Sequence, residues 1–294
     1  MGFVDQDEKC QGKMRKMERF DFGQNWARFL QGLDEDRIRE AERSLKEMLH
    51  VNDLGGKRLL DVGSGSGLFS LAARRLGADV VSFDCDPLCV LCTKELMNRF
   101  FAEDSHWRIE QGDVLDESFL KSLGQFDVVY AWGVLHHTGA MWKALENIIP
   151  LVSVKGKIFL SIYNDQAFIS RYWRKVKRVY NTSCKPVKWL IVLSVGAVLE
   201  SRNILVRLMQ GENPLPFKYW HEKKRSRGMS AWYDLVDWVG GFPFEVAKPE
   251  EVFDFYREKG FLMTKLKTCR GGLGCNEFVF VREAGERGSD TQKG

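Results

Sequence analysis

A doubly wound α/β fold with a mostly parallel sheet is what this 294-residue sequence predicts. Three observations carry the prediction. The stretch RLLDVGSGSGLFS at 58–70 runs from an apolar strand through a glycine turn into a new helical pattern. Strand-like and helix-like segments then alternate as far as residue 163, which implies parallel strands joined by helical crossovers. Acidic or aromatic residues close successive strands, at the carboxyl edge where sheets of this kind bind ligands.

In chain order, residues 1–20 are charged, and helical material follows over 22–49. Ile38, Ala41, Leu45, Met48 and Leu49 recur there at helical spacing behind acidic Asp34 to Asp36. Residues 1–57 therefore form a tail and capping helices able to cover one edge of a nucleotide site. In the turn, Gly63, Gly65 and Gly67 allow a tight reversal and a close approach of ligand to main-chain N–H groups. No Gly-Lys-Ser/Thr follows, which excludes a P-loop, and Leu68 or Ser70 stands where a dinucleotide site has its third small residue. After a helix over 68–76, the strand DVVSFD ends at Asp84, placed for two ribose hydroxyls because a carboxylate accepts two hydrogen bonds. The plainer alternative is a cap for the helix at Asp86-Pro87. A third strand near 107–116 carries Asp113, within reach of an adenine amino group. Strands at 126–131 and 157–163 lead to Trp132 and Tyr163.

LLDVGSGSG, Asp84, GDVLD and FDVVYAWGVLHHTG, in this order and spacing, resemble the successive motifs of class I S-adenosylmethionine (SAM)-dependent methyltransferases. The branch most similar is that of the ubiquinone-pathway O-methyltransferases. The resemblance covers roughly 59–163 and resumes at 248. It implies a seven-stranded Rossmann-like methyltransferase sheet, with SAM as cofactor. It places Asp61, Gly63, Ser64 and Gly65 at the methionine part, Asp84 at the ribose, and Asp113 at the adenine, with Val114 and Trp132 as further cofactor contacts. The cofactor-binding core is then 58–163. Residues 248–283 supply a last helix opened by Pro249 and an antiparallel hairpin, and 284–294 form a polar, disordered tail.

Between these parts lies an insertion, 164–247, far longer than the usual connection and expected to serve substrate recognition or as a lid. RYWRKVKRVYN reads as a basic helix and KYWHEKKRSRG as a second basic cluster. Residues 165–230 hold 14 Lys/Arg against 4 Asp/Glu, although the whole chain carries only +4. Such runs are most simply solvated faces. An anionic substrate, a nucleic acid or an acidic membrane surface are the functional alternatives. The longest apolar run, 189–199, is too short for a membrane span and is expected to pack in the core. Lys185 and Lys188 on its flank leave open a peripheral membrane contact through 185–210. In GMSAWYDLVDWVGGFPFE, Trp232, Tyr233, Asp237 and Trp238 suit either a substrate-pocket wall or a helix packed on the sheet.

Methyl transfer from a sulfonium needs alignment and exclusion of water, and a base only where the acceptor must lose a proton. His137 is the candidate base, with His136 and Tyr163 beside it, and hydrogen bonding is the structural alternative for the histidines. Asn164 and Arg270 are candidate substrate contacts. No metal site is expected. Cys85, Cys89 and Cys92 have the C-x3-C-x2-C spacing of a radical-SAM cluster site, yet they run into a helix, and that spacing is read as coincidence. Seven cysteines in a chain of this length fit a reducing cytosol. The expected activity is methylation of a small-molecule acceptor, with oxygen favoured over nitrogen or sulfur. The alternatives are a nucleic-acid methyltransferase, disfavoured because no Asn/Asp-Pro-Pro-Tyr/Phe follows the fourth strand, a membrane-surface enzyme acting on a lipid or lipid-linked substrate, and a non-catalytic SAM-binding protein.

Overall fold

Seven strands form one sheet in the order β3-β2-β1-β4-β5-β7-β6. They are β1 (Arg58–Val62), β2 (Asp79–Asp84), β3 (Trp107–Gln111), β4 (Phe126–Trp132), β5 (Val152–Tyr163), β6 (Phe261–Lys267) and β7 (Cys275–Arg282). The computed structural model describes residues 20, 22–211 and 231–284. β1 to β5 run parallel, and β7 enters antiparallel between β5 and β6. This is the sheet implied by the sequence motifs.

The period of two along each strand sorts the core into two layers. Leu59, Val80, Val128, Tyr130 and Phe159 face α1 (Phe22–Gln31), α2 (Glu35–Leu49) and α3 (Leu68–Arg75). Leu60, Val81, Val129, Ile158 and Phe280 point the other way. They meet α5 (Glu117–Leu123), α6 (Met141–Asn147) and α10 (Pro249–Arg257). α4 (Pro87–Phe100) begins with Asp86 accepting from Leu88 N at 2.9 Å and Pro87 in the first turn. The cap is therefore Asp86, which leaves Asp84 for another role.

The insertion supplies α7 (Phe168–Thr182), α8 (Lys185–Gln210) and α9 (Ala231–Gly240). α7 is the expected basic helix, while the KYWHEKKRSRG cluster and the tail after 284 lie outside the described residues. α8 departs from expectation. The apolar run at 189–199 is the middle of one 26-residue helix, and Val192 is its one buried residue. Core packing fails because its outer side meets no other described element, leaving Leu190, Val198 and Leu205 more than half exposed.

At the first turn, Gly63 has φ +71° and Gly65 φ +54°, a region that penalises side chains. A Cβ at Gly63 would lie 2.3 Å from Val134 Cγ2. Gly63→Ala is expected to lower stability by about 2–4 kcal/mol in urea denaturation. Val134→Ala in the same chain should recover the steric part and leave the dihedral part.

Candidate active site

The carboxyl ends of β1, β2, β4 and β5 open into a cleft of about 2050 Å³. Asp61, Gly63, Ser64, Gly65, Asp84, Asp113, Val114, Trp132, His136, His137, Tyr163, Asp237 and Trp238 all line it, so the structure gathers most of the sequence-predicted positions. Chain order alone would scatter them over more than 170 residues; parallel strands bring their ends together.

Two carboxylates sit behind the glycine turn. Asp84 accepts from Gly65 N at 3.0 Å and from Asp86 N at 2.9 Å, which fixes its orientation. Asp61 is buried and accepts from the Ser70 hydroxyl, which is also 2.6 Å from Ser82 Oγ. Burial, aided by the neighbouring Asp84 charge, pushes the Asp61 carboxyl up to about 7, against the lowering effect of Ser70. Ser64 Oγ is 2.9 Å from Thr93 Oγ1 and so locks the turn onto α4. Asp113 is exposed and its Oδ1 accepts from Leu115 N at 2.9 Å, with Val114 buried beside it. Trp132 stacks against Phe69 with ring centroids 6.5 Å apart.

The opposite wall is built from rings. His136 and His137 follow β4 on a short 3₁₀ turn, Leu135–His137. Pro243 O lies 2.6 Å from His137 Nδ1. A carbonyl only accepts, so Nδ1 carries the proton and Nε2 holds the lone pair of the neutral ring. His136 is completely buried, with its Nδ1 unpartnered among the described residues. Burial first, then the charges of His137 and Lys177, hold His136 well below the usual histidine range. Its ring packs 4.0 Å from Tyr163 and 4.5 Å from His137, centroid to centroid.

Three residues in or beside the cleft lining carry no motif and escape a reading of the sequence. Trp26 of α1 lies over the glycine turn, 3.1 Å from where a Gly65 Cβ would stand. Asn25 Nδ2 donates to Asp237 Oδ1 at 2.6 Å, joining α1 to the insertion across the cleft. Lys177 is wholly buried, donating to the Trp238 carbonyl with its ammonium 4.6 Å from the Trp238 ring centroid and 4.9 Å from that of Phe244. Burial lowers the Lys177 ammonium to about 7, and Asp237 partly offsets this. Amphipathic helix patterns hide all three, because a Trp, Asn or Lys there looks like ordinary face composition.

Other predicted positions stand elsewhere. Asn164 does not line the cleft; it accepts from Asn276 Nδ2 at 3.0 Å and holds the β6–β7 loop. Arg270 is exposed on that loop at φ +55° and is not part of the lining. The side chains of Trp232 and Tyr233 lie outside the described residues. Cys89 and Cys92 sit on α4, and burial raises both thiols. Among the described residues no group of three His, Cys, Asp or Glu is placed to hold a metal.

Residues 33–210 match the family described as "Methyltransferase domain", more than half of the chain. The chain belongs to the SAM-dependent methyltransferases. A ubiquinone biosynthesis O-methyltransferase of Erwinia tasmaniensis is 32% identical over 118 residues, 39% of this chain and 46% of that protein. A tRNA U34 carboxymethyltransferase of Trichlorobacter lovleyi is 35% identical over 103 residues, 35% of this chain and 30% of that protein. The matches thus span half or less of these curated relatives. An O-methyltransferase family protein from Burkholderia thailandensis shares the fold, with a TM-score of 0.51 at 10% identity over 85% of this chain and 58% of that one.

The cleft of this methyltransferase fits SAM by its own residues. Gly63, Ser64 and Gly65 line it with main chain that can approach a ligand closely, and the Asp84 carboxylate stands in the same lining at the end of β2, where a ribose is held by an acceptor. Asp84→Ala is expected to weaken S-adenosylhomocysteine binding at least 100-fold by calorimetry. Lys177 supplies a separate test. The unfolded chain holds more protons than the native one between about pH 7 and 10.5, so this lysine makes stability rise with pH across that window. Lys177→Met should remove that rise, seen as melting temperatures of variant and wild type that converge toward pH 10.

Proposed function

We propose that this methyltransferase acts on the hydroxyl of a small-molecule acceptor, with His137 as the base. The observation that carries the reading is the 2.6 Å contact between His137 Nδ1 and the Pro243 carbonyl. It selects the tautomer that can receive a proton at Nε2, and it does so in a ring that lines the cleft. When bound, SAM supplies an already activated methyl group, so the protein's work is to align the acceptor, exclude water and accept its proton. Tyr163 and Phe22 pack on the histidine, with Trp238 against Tyr163, and this apolar area suits a planar or apolar acceptor. His136, kept neutral by burial, adds no charge that would oppose protonation of its neighbour. The O-methylating relative from Erwinia tasmaniensis favours oxygen as the accepting atom.

His137→Gln should lower kcat about 10²–10⁴-fold while leaving S-adenosylhomocysteine affinity within about twofold. The acid limb of the kcat profile, where wild type loses activity as imidazole protonates, should flatten in the variant. Undiminished kcat would reduce His137 to a structural role.

A further inference from the structure

Beyond the methyl-transfer reading, we infer that α8, with α7, docks the protein on the surface of an acidic lipid bilayer, lying along the interface rather than crossing it. α8 is 26 residues with a mean hydropathy of 1.6 over its apolar window, long enough to span, yet only 6% of that window is buried. Its two sides differ. Val192, Gly196 and Asn203 line the cleft. On the other side Val187, Leu190, Val198, Leu205 and Leu208 recur with only Ser194 and Ser201 between them, in steps of three and four. All five apolar residues are exposed, Val198 at 67%. The charged residues of the helix, including Lys185, Lys188 and Arg202, fall off this stripe.

Crossing a membrane is incompatible with the first side. Gly196 packs so closely on Leu235 of α9 that a Cβ there would lie 2.8 Å from it, and Lys188 Nζ sits 5.3 Å from the Tyr180 ring centroid. A spanning helix would surrender both contacts and its part of the cleft wall. A helix lying flat keeps them and buries its stripe among the acyl chains.

The charge pattern selects the occupant. From Phe168 to Gln210 there are nine Lys or Arg and one acid, Glu200. Among the described residues Arg171, Lys175 and Lys185 form no ion pair, and Arg171 and Lys175 flank the exposed Phe168 and Tyr172. Cations beside an apolar stripe match phospholipid headgroups above acyl chains. A second copy of this chain would set like charge against like charge, and a nucleic acid would leave the Leu and Val stripe in water.

The test is co-sedimentation of the full chain with vesicles of phosphatidylcholine, pure or containing about one third phosphatidylglycerol. Binding at least tenfold stronger to the acidic vesicles, and weakened by salt, is expected. Leu190→Glu with Leu205→Glu should cut it at least tenfold, and Arg171→Glu with Lys175→Glu by about fivefold or more for each cation. Neither pair lines the cleft, so S-adenosylhomocysteine affinity and far-UV circular dichroism should stay unchanged in both. Absence of wild-type binding to acidic vesicles would overturn the inference, as would binding indifferent to both pairs of substitutions. A dimer seen by analytical ultracentrifugation and dissociated by the leucine pair would assign the face to a second copy instead. Salt-sensitive RNA binding abolished by the Arg171/Lys175 pair, without vesicle binding, would assign it to nucleic acid.

Discussion

One hydrogen bond, from His137 Nδ1 to the carbonyl of Pro243, joins the half of the site that belongs to the sheet to the half that belongs to the insertion. It does not act alone. Residues 242–247 run as an extended segment across the mouth of the sheet and satisfy the backbone there. Phe20 N donates to Phe242 O, Glu245 N to His136 O, and Ala247 N to Tyr163 O, each at 3.0 Å. Parallel strands that stop at a common edge leave loop amides and carbonyls needing partners, and a buried peptide group without one is costly. The insertion supplies those partners. The histidine wall is therefore a product of main-chain satisfaction as much as of side-chain chemistry.

The sheet was legible because its causes are local. Apolar runs of strand length, glycines that must take positive φ and a carboxylate closing β2 each leave a mark within a few residues, and their order determines the topology. The acids and glycines of the cofactor side were legible for the same reason. What the sequence hid depends on contacts across long separations. Asn25 finds Asp237, Lys177 finds the Trp238 ring, and Asn164 turns to Asn276 rather than to the cleft. No periodicity encodes such pairs. The apolar run of α8 misled for a related reason: hydropathy shows that a residue disfavours water, while the molecule that shields it can lie outside the chain.

The two walls carry opposite electrostatic tendencies. On the glycine side, burial opposes the negative form of Asp61, and on the histidine side it opposes the positive forms of His136 and Lys177. These shifts reduce the charge that Asp61 and His136 add to the cleft, while Asp84, Asp113 and Asp237 remain in its lining.

The contact of Asn25 with Asp237 closes a chain loop of 212 residues at the rim of the cleft. A hydrogen bond to a charged group has a net worth of about 1.5–3 kcal/mol, so at equilibrium the latch stands unfastened for roughly one part in ten to one part in a hundred. Passage of a ligand past that rim therefore requires no disruption of the sheet. Loosening that contact costs a small share of the stability of the protein that carries it, and local opening of this size runs far faster than unfolding.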